Sequence, residues 1–271
     1  MDPQSSTNLF NGYAFLADFQ ESRSKELIHS IKKLEKKSGF KVTCYWNRVW
    51  EYPFLFHTIQ TATQKGSVLD AGSGKSLLPF MLQQYGFDVL ALDIDDGSFY
   101  TKGSLPQWYA KQNQRLQTNV RFMNGSILQL EIPSDTFNIV YSMSVIEHLG
   151  SPMLALQELW RVLKPDGIFL LTVDVSLNSS SYLPEKSYLE MKSFLDEHGT
   201  PLHAFREKNL SSLITTDWYK KYQPKMLPWK VKRRKIKTIL KDMIRKEGLI
   251  IRNKPFHSLA ISGLAYRKIS L

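Results

Sequence analysis

Residues 68–76, Val-Leu-Asp-Ala-Gly-Ser-Gly-Lys-Ser, constrain the fold more than any other stretch of the chain. The apolar start is typical of a buried strand, and two glycines one residue apart indicate a tight turn before a helix. Gly72 and Gly74 lack side chains, so a ligand can approach the main chain and the start of that helix. The stretch therefore predicts a strand, turn and helix that bind a phosphate-like or nucleoside-like group.

Spacing separates the three ligand classes that use such a turn. A P-loop needs glycine where Leu69 stands, and the dinucleotide fingerprint needs glycine where Leu77 stands, so ATP, nicotinamide and flavin are disfavoured. The remaining pattern, Asp70 two residues before a Gly-x-Gly pair, resembles motif I of class I S-adenosylmethionine-dependent methyltransferases. The third small position of that motif, usually glycine, is Ser76 here. Taken alone, the motif leaves open a glycine turn that binds no nucleoside.

Two further blocks follow in the order of that family. Residues 87–93 predict a strand that ends in Asp93, where a carboxylate can accept hydrogen bonds from both ribose hydroxyls. Residues 135–149 predict a buried strand that opens onto Ser-Val-Ile-Glu-His. A helix follows from Pro152, with Ser151 as its cap, and then a fifth strand at 168–173. The resemblance covers about residues 66–174.

The resemblance implies S-adenosylmethionine as the cofactor and a set of residues that contact it. Arg48 lies in the aromatic segment 45–54 and is expected to pair with the methionine carboxylate, beside Trp46 and Tyr52; a helix packed across the sheet edge is the alternative. Ser126 stands where the family usually has an acid for the adenine, so its hydroxyl or the Ile127 backbone takes that role. The full candidate set is Arg48, Asp70, Gly72, Gly74, Asp93, Ile94, Ser126, Ile127 and Ser142.

Glu147 and His148 lie where the fourth core strand ends, the edge at which α/β enzymes place substrates. Histidine titrates near neutrality, so His148 is the candidate base, and Glu147 orients it or binds the acceptor. The alternative is that the pair only caps and anchors the turn.

Composition limits the remaining classes. The 271 residues, of which 42% are hydrophobic, suffice for one domain with appendages. No apolar run approaches membrane-span length and the first residues do not resemble a signal peptide, so we expect a cytoplasmic protein without a membrane partner. The single Cys44 excludes an internal disulfide, and no Cys/His spacing predicts a metal site.

The net charge of +11 belongs to one segment. Residues 220–254 hold fourteen Lys and Arg against two acids, a net +12 that leaves the rest of the chain near −1. An apolar stripe from Ile236 to Ile244 predicts a helical cap over the substrate site, whose positive face favours an anionic acceptor. An RNA groove and an anionic membrane surface are the alternatives.

Together these features predict an α/β fold, a Rossmann-like, doubly wound, mostly parallel sheet of seven strands with N- and C-terminal helical caps. The single domain 1–271 divides into an N-terminal cap (1–60, with a helix at 22–37), a cofactor-binding core (61–175) and a substrate-side segment (176–271). In the last of these, we expect a helix at 203–210 and a closing strand at 258–266.

The predicted function is S-adenosylmethionine-dependent methyl transfer to a small molecule. Oxygen is favoured over nitrogen because the Asn/Asp-Pro-Pro-Tyr/Phe signature of one group of amino-group enzymes is absent. The alternatives are an RNA- or protein-directed enzyme, or a non-catalytic module that binds nucleic acid through residues 220–254. The acceptor, the pathway and the oligomeric state are not specified by the sequence.

Overall fold

The computed structural model describes residues 9–15, 17–18, 22–42, 47–61, 65–95, 104–178, 182–216 and 259–270. The basic segment 220–254, with its expected helix and its proposed effect on the acceptor, lies outside these ranges. Trp46 and Cys44 lie outside them as well.

Ten strands form one mixed sheet within the described residues. They are β1 (Asn11–Tyr13), β2 (Ser67–Ala71), β3 (Asp88–Asp93), β4 (Arg121–Asn124), β5 (Phe137–Met143), β6 (Leu163–Ser176), β7 (Leu183–Pro184), β8 (Gly199–Pro201), β9 (Phe205–Arg206) and β10 (Leu259–Lys268). The strand order is β4-β3-β2-β5-β6-β10-β1-β9, with β7 beside β6 and β8 beside β10. Strands β2 to β6 pair in parallel, whereas β10 runs antiparallel to β6.

The helices are α1 (Ser22–Ser38), α2 (Arg48–Gln60), α3 (Leu78–Gln84), α4 (Leu105–Leu116), α5 (Pro152–Val162) and α6 (Glu185–His198), with a 3₁₀ turn at Ile146–His148. Successive side chains of a strand point to opposite faces, so Val68 packs with α1 to α4 while Leu69 packs with α5 and α6. Both faces are therefore covered, and the doubly wound α/β fold is confirmed.

Strand β2 lies between β3 and β5, so the chain crosses from one half of the sheet to the other beside it. Ligands of open α/β sheets bind in the crevice at the carboxyl ends of the strands at such a point. The glycine turn after β2 occupies this position.

The described sheet has ten strands rather than the expected seven: six strands of four or more residues, and four of two or three residues that are too short to show alternation. One of them, β1, brings the N-terminal segment into the sheet beside β10. The helix expected at 203–210 is wrong: Phe205 pairs with Asn11 as β9, and α6 is the helix that follows the fifth core strand. Tertiary pairing here outweighs local preference.

The N-terminal helix and the closing strand agree with the sequence predictions, whereas the predicted cap of α5 does not. The helix expected at 22–37 is α1, and the closing strand is β10. The Asp95 carboxylate accepts a hydrogen bond from the Leu105 amide at the start of α4. Ser151 precedes α5, but its side chain makes no capping hydrogen bond.

Candidate active site

The glycine turn is held against the end of β3. Gly72 and Gly74 have φ of 76° and 48°, a region that favours glycine. A Cβ on Gly72 would lie 2.6 Å from the Val145 side chain. The Gly72 and Ser73 amides donate to the Leu92 carbonyl at 2.8 and 3.0 Å. The sequence makes this turn because no other residue fits at Gly72.

Asp93 faces the same turn from the end of β3. Its Oδ2 accepts a hydrogen bond from the Gly74 amide at 2.6 Å, and its Oδ1 accepts one from the Ile94 amide at 2.7 Å. The carboxylate is thereby fixed in orientation. A carboxylate oxygen can accept more than one hydrogen bond, so the Asp93 oxygens could also accept hydrogen bonds from hydroxyl groups.

Two hydroxyls satisfy the first amides of α3. The Leu77 amide donates to the Tyr52 hydroxyl at 3.0 Å, and the Leu78 amide donates to Ser76 Oγ at 3.2 Å. Tyr52 and Ser76 are themselves hydrogen-bonded at 2.9 Å, and burial raises the pKa of Tyr52 to about 12. Tyr52, expected as a wall residue, thus supports the turn from within the core, and Ser76 acts as a cap where the family usually has glycine.

Asp70 lies in β2, two residues before the first glycine of the turn, and is buried. Burial raises its pKa to about 7, although the nearby Tyr141 hydroxyl acts in the opposite direction. The charge of Asp93 raises this pKa further, and the charge of Arg48 lowers it. Arg48 therefore lies close enough to act on the glycine turn.

The other residues predicted to contact the cofactor differ in exposure and in hydrogen bonding. Ser126 follows β4, beside β3, and its Oγ accepts the Leu128 amide at 3.2 Å. Ile127 is nearly buried, whereas Ile94 is 49% exposed at the end of β3. Ser142 has no exposed surface, and its hydroxyl donates to the Ala71 carbonyl at 3.0 Å, which ties β5 to β2.

A second polar group lies at the carboxyl ends of β5 and β6. Glu51, from α2, is fully buried. Its Oε1 accepts hydrogen bonds from Ser144 Oγ at 2.5 Å and from Thr172 Oγ1 at 2.8 Å, and its Oε2 pairs with Arg48. Burial lowers the pKa of Arg48, but the charge of Glu51, its hydrogen bond to Arg48 and the effects of Tyr52 and Asp174 together raise the pKa. Both carboxylate oxygens of Glu51 thus have partners among the described residues.

Glu147 and Asp174 lie next to that ion pair. Glu147 Oε1 accepts the Asp174 amide at 3.2 Å. The other oxygen of Glu147, Oε2, and Asp174 Oδ1 are buried and have no hydrogen-bond partner among the residues that the structure describes. Burial raises the pKa of both carboxyls, and each is raised further by neighbouring carboxylates. We call Glu147 and Asp174 the carboxyl pair.

His148 adjoins Glu147 in sequence but not in environment. It ends the 3₁₀ turn, its side chain is exposed, and its ring lies 5.8 Å from the ring of Tyr182. Of the two predicted catalytic residues, His148 therefore faces solvent and Glu147 faces the core.

Comparison with known proteins identifies this arrangement. Residues 69–171 match the family profile described as "Methyltransferase domain", which includes the glycine turn, Asp93 and the 3₁₀ turn. Over these residues the chain is similar to the class I S-adenosylmethionine-dependent methyltransferases.

The chain is 30% identical over 145 residues to an uncharacterized methyltransferase, YcgJ, of Bacillus subtilis, with 53% of the chain and 52% of the relative covered. It is 26% identical over 147 residues to a ubiquinone biosynthesis O-methyltransferase of Rickettsia akari, with 54% and 50% covered. The chain thus spans about half the length of these relatives. Geranyl diphosphate methyltransferase solved with SAM has the same fold, with a TM-score of 0.56, 12% identity and 97% and 100% coverage.

Two features are absent from the part of the chain that the structure describes. No helix there is long and apolar enough to cross a bilayer. No group of three or more His, Cys, Asp or Glu side chains in those ranges is arranged to hold a metal ion.

The sequence interpretation missed Glu51 and Asp174. Both carried a signal, since Glu51 is an acid inside an aromatic run and Asp174 interrupts the apolar end of the fifth core strand. A charge in such a run needs a buried partner. Its partners come from distant segments, and only the fold brings them together.

Proposed function

We propose that this protein transfers a methyl group from S-adenosylmethionine to an oxygen atom of a small-molecule acceptor. The observation that carries the proposal is the Asp93 carboxylate, fixed by the Gly74 and Ile94 amides at the carboxyl end of β3. A carboxylate in that position beside a glycine turn suits two adjacent ribose hydroxyls.

The residues present fit the cofactor. Asp93 would hold the ribose, and the turn from Asp70 to Gly74 would lie against the methionine end, where side chains are excluded by the close approach of Val145. Arg48 contacts Glu51 through Nη1, and a guanidinium has five N–H donors, so it can also pair with the methionine carboxylate. Ser126 and the Ile127 backbone would face the adenine.

The bound cofactor supplies the electrophilic methyl group. The protein must hold the acceptor in line with it and, for a hydroxyl acceptor, take up a proton. Buried carboxyls at the ends of β5 and β6 provide proton-accepting groups at the edge where the acceptor would lie. The name of the Rickettsia akari relative, an O-methyltransferase, also supports oxygen as the acceptor atom.

Two measurements test this function. Calorimetric titration should show binding of S-adenosylhomocysteine by the wild-type chain and weaker binding by Asp93→Ala. Incubation with S-adenosylmethionine and four acceptors (catechol, phenol, benzoate and benzylamine) should give a methylated oxygen product by mass spectrometry. Absence of S-adenosylhomocysteine binding would refute the cofactor assignment, and methylation of benzylamine alone would refute the oxygen assignment.

A further inference from the structure

We propose that Glu147 and Asp174 share one proton and that this carboxyl pair, rather than His148, accepts the hydroxyl proton of the acceptor. The inference rests on the proposed oxygen methylation and names the group that completes it. The sequence interpretation named neither Asp174 nor a shared proton as part of the site.

The geometry of the pair comes from two neighbouring elements. Glu147 lies on the 3₁₀ turn after β5, and Asp174 lies near the end of β6, which pairs in parallel with β5. The Asp174 amide donates to Glu147 Oε1 at 3.2 Å, so the Glu147 carboxyl group is held against the backbone of Asp174. Each residue is more than nine-tenths buried, and each retains one buried oxygen with no hydrogen-bond partner in the described ranges.

A proton shared by the two carboxyl groups would reduce the cost of burying them. Buried polar oxygens without a partner are costly, and two adjacent carboxylates cannot both be ionised at low cost. A proton held between Glu147 Oε2 and Asp174 Oδ1 would satisfy both oxygens and remove one negative charge. Such a pair titrates as one unit.

Among the residues that the structure describes, Arg48 is the one cation that acts on the pKa of the pair. Arg48 from α2 is paired with Glu51, whose own charge raises the pKa of both Glu147 and Asp174. Asn47 and Arg48 lower the pKa of Asp174, but burial dominates. Three carboxyls thus share one guanidinium, which leaves the pair with a net negative charge when it holds a single proton.

The pair also lies beside the glycine turn. Val145, two residues before Glu147, occupies the space that a side chain on Gly72 would need. The Arg48 charge acts on both Asp70 in the turn and Asp174 in the pair, so a single side chain connects the two sites. An acceptor in line with the methyl group of a cofactor on the turn would meet this edge.

In the proposed methyl transfer, one bond forms, one bond breaks and one proton is released. The acceptor oxygen forms a bond to the methyl carbon, and the methyl–sulfur bond breaks with its electron pair remaining on sulfur. The hydroxyl proton passes to the carboxyl pair, which then holds two protons and returns one to solvent after product leaves. A raised pKa suits this role, because a proton acceptor works best when its pKa is near the working pH.

Isosteric amide variants test the pair. Glu147→Gln and Asp174→Asn each remove one partner, and Glu190→Gln is the matched control because Glu190 is an exposed carboxyl, 3.9 Å from Lys186. The first readout is the infrared carbonyl band of protonated carboxyls at about pH 8, above the Asp70 pKa of about 7. The band should move or vanish in both pair variants and stay unchanged in Glu190→Gln.

The second readout is the single-turnover rate with catechol, alongside S-adenosylhomocysteine affinity. Both pair variants should lose about a hundredfold or more in rate with affinity near wild type, and His148→Ala should lose less than either. Retained affinity also shows that the variants fold.

The outcomes separate the two proposals. A band unchanged in either pair variant would refute the shared proton. Rates within tenfold of wild type in both pair variants, or a larger loss in His148→Ala, would refute the proton-accepting role. A wild-type protein that shows the shared-proton band but methylates no acceptor would refute the proposed function and, with it, the catalytic role of the pair.

Discussion

Replacement of Asp93 by alanine is the most informative single change to the cofactor site. The carboxylate accepts the Gly74 amide through Oδ2 and the Ile94 amide through Oδ1. Asp93→Ala therefore removes the proposed ribose acceptor and two contacts that shape the turn. The two effects must be separated before a loss of affinity is assigned to the ribose.

The expected magnitude follows from the hydrogen bonds. A buried ribose hydroxyl that loses its acceptor costs about 1–3 kcal/mol, and every 1.4 kcal/mol is about tenfold in affinity. We therefore expect S-adenosylhomocysteine to bind Asp93→Ala about 5- to 150-fold more weakly. Asp93→Asn keeps one oxygen acceptor and should lose less.

A double-mutant cycle separates ribose binding from turn structure. Wild type and Asp93→Ala are each titrated calorimetrically with S-adenosylhomocysteine and with its 2′-deoxy form. If Asp93 binds the ribose, the 2′-deoxy form should lose affinity for wild type and much less for the variant, because the interaction is already absent. Losses that simply add, or an unchanged affinity of a folded Asp93→Ala, would refute the assignment.

Three further outcomes are expected. Gly72→Ala should lower the free energy of unfolding in urea by more than about 1–3 kcal/mol, because φ of 76° strains a non-glycine residue and the new Cβ would clash with Val145. Gly150→Ala is the control: Gly150 has open space around it, so the free energy of unfolding should change little. Tyr52→Phe should cost about 1–3 kcal/mol in the same assay, since it leaves an α3 amide unsatisfied; an unchanged urea midpoint would contradict the capping role. Burial raises the Asp70 pKa from 3.8 to about 7, so between these pH values the folded state binds more protons than the unfolded state, and the free energy of unfolding should fall as pH rises from about 4 to about 7. This dependence on pH should be weaker in Asp70→Asn. The same dependence in the variant would contradict the raised pKa of Asp70.

The glycine turn and the acid after the next strand could be predicted from sequence because local rules govern them. A Gly-x-Gly pair after an apolar run has few possible backbone conformations, and the observed positive φ values at Gly72 and Gly74 agree with that expectation. Asp93 was predictable for a similar reason, since it is the last residue of a strand whose burial shows in its composition. The order of elements from residue 66 to 174 followed from hydrophobic periodicity and the resemblance to the family.

Tertiary structure alone decided what those local elements meet. Four short strands pair only because distant segments lie alongside them, as Asn11 does with Phe205. Glu147 and His148 are neighbours in sequence, yet the 3₁₀ turn directs one into the core and the other to solvent. Glu51 and Asp174 are 123 positions apart and become electrostatic neighbours only when α2 packs across the end of β6. Periodicity and motif spacing describe the local chain, whereas the pKa of a buried carboxyl depends on charges and solvent exclusion that the whole fold supplies.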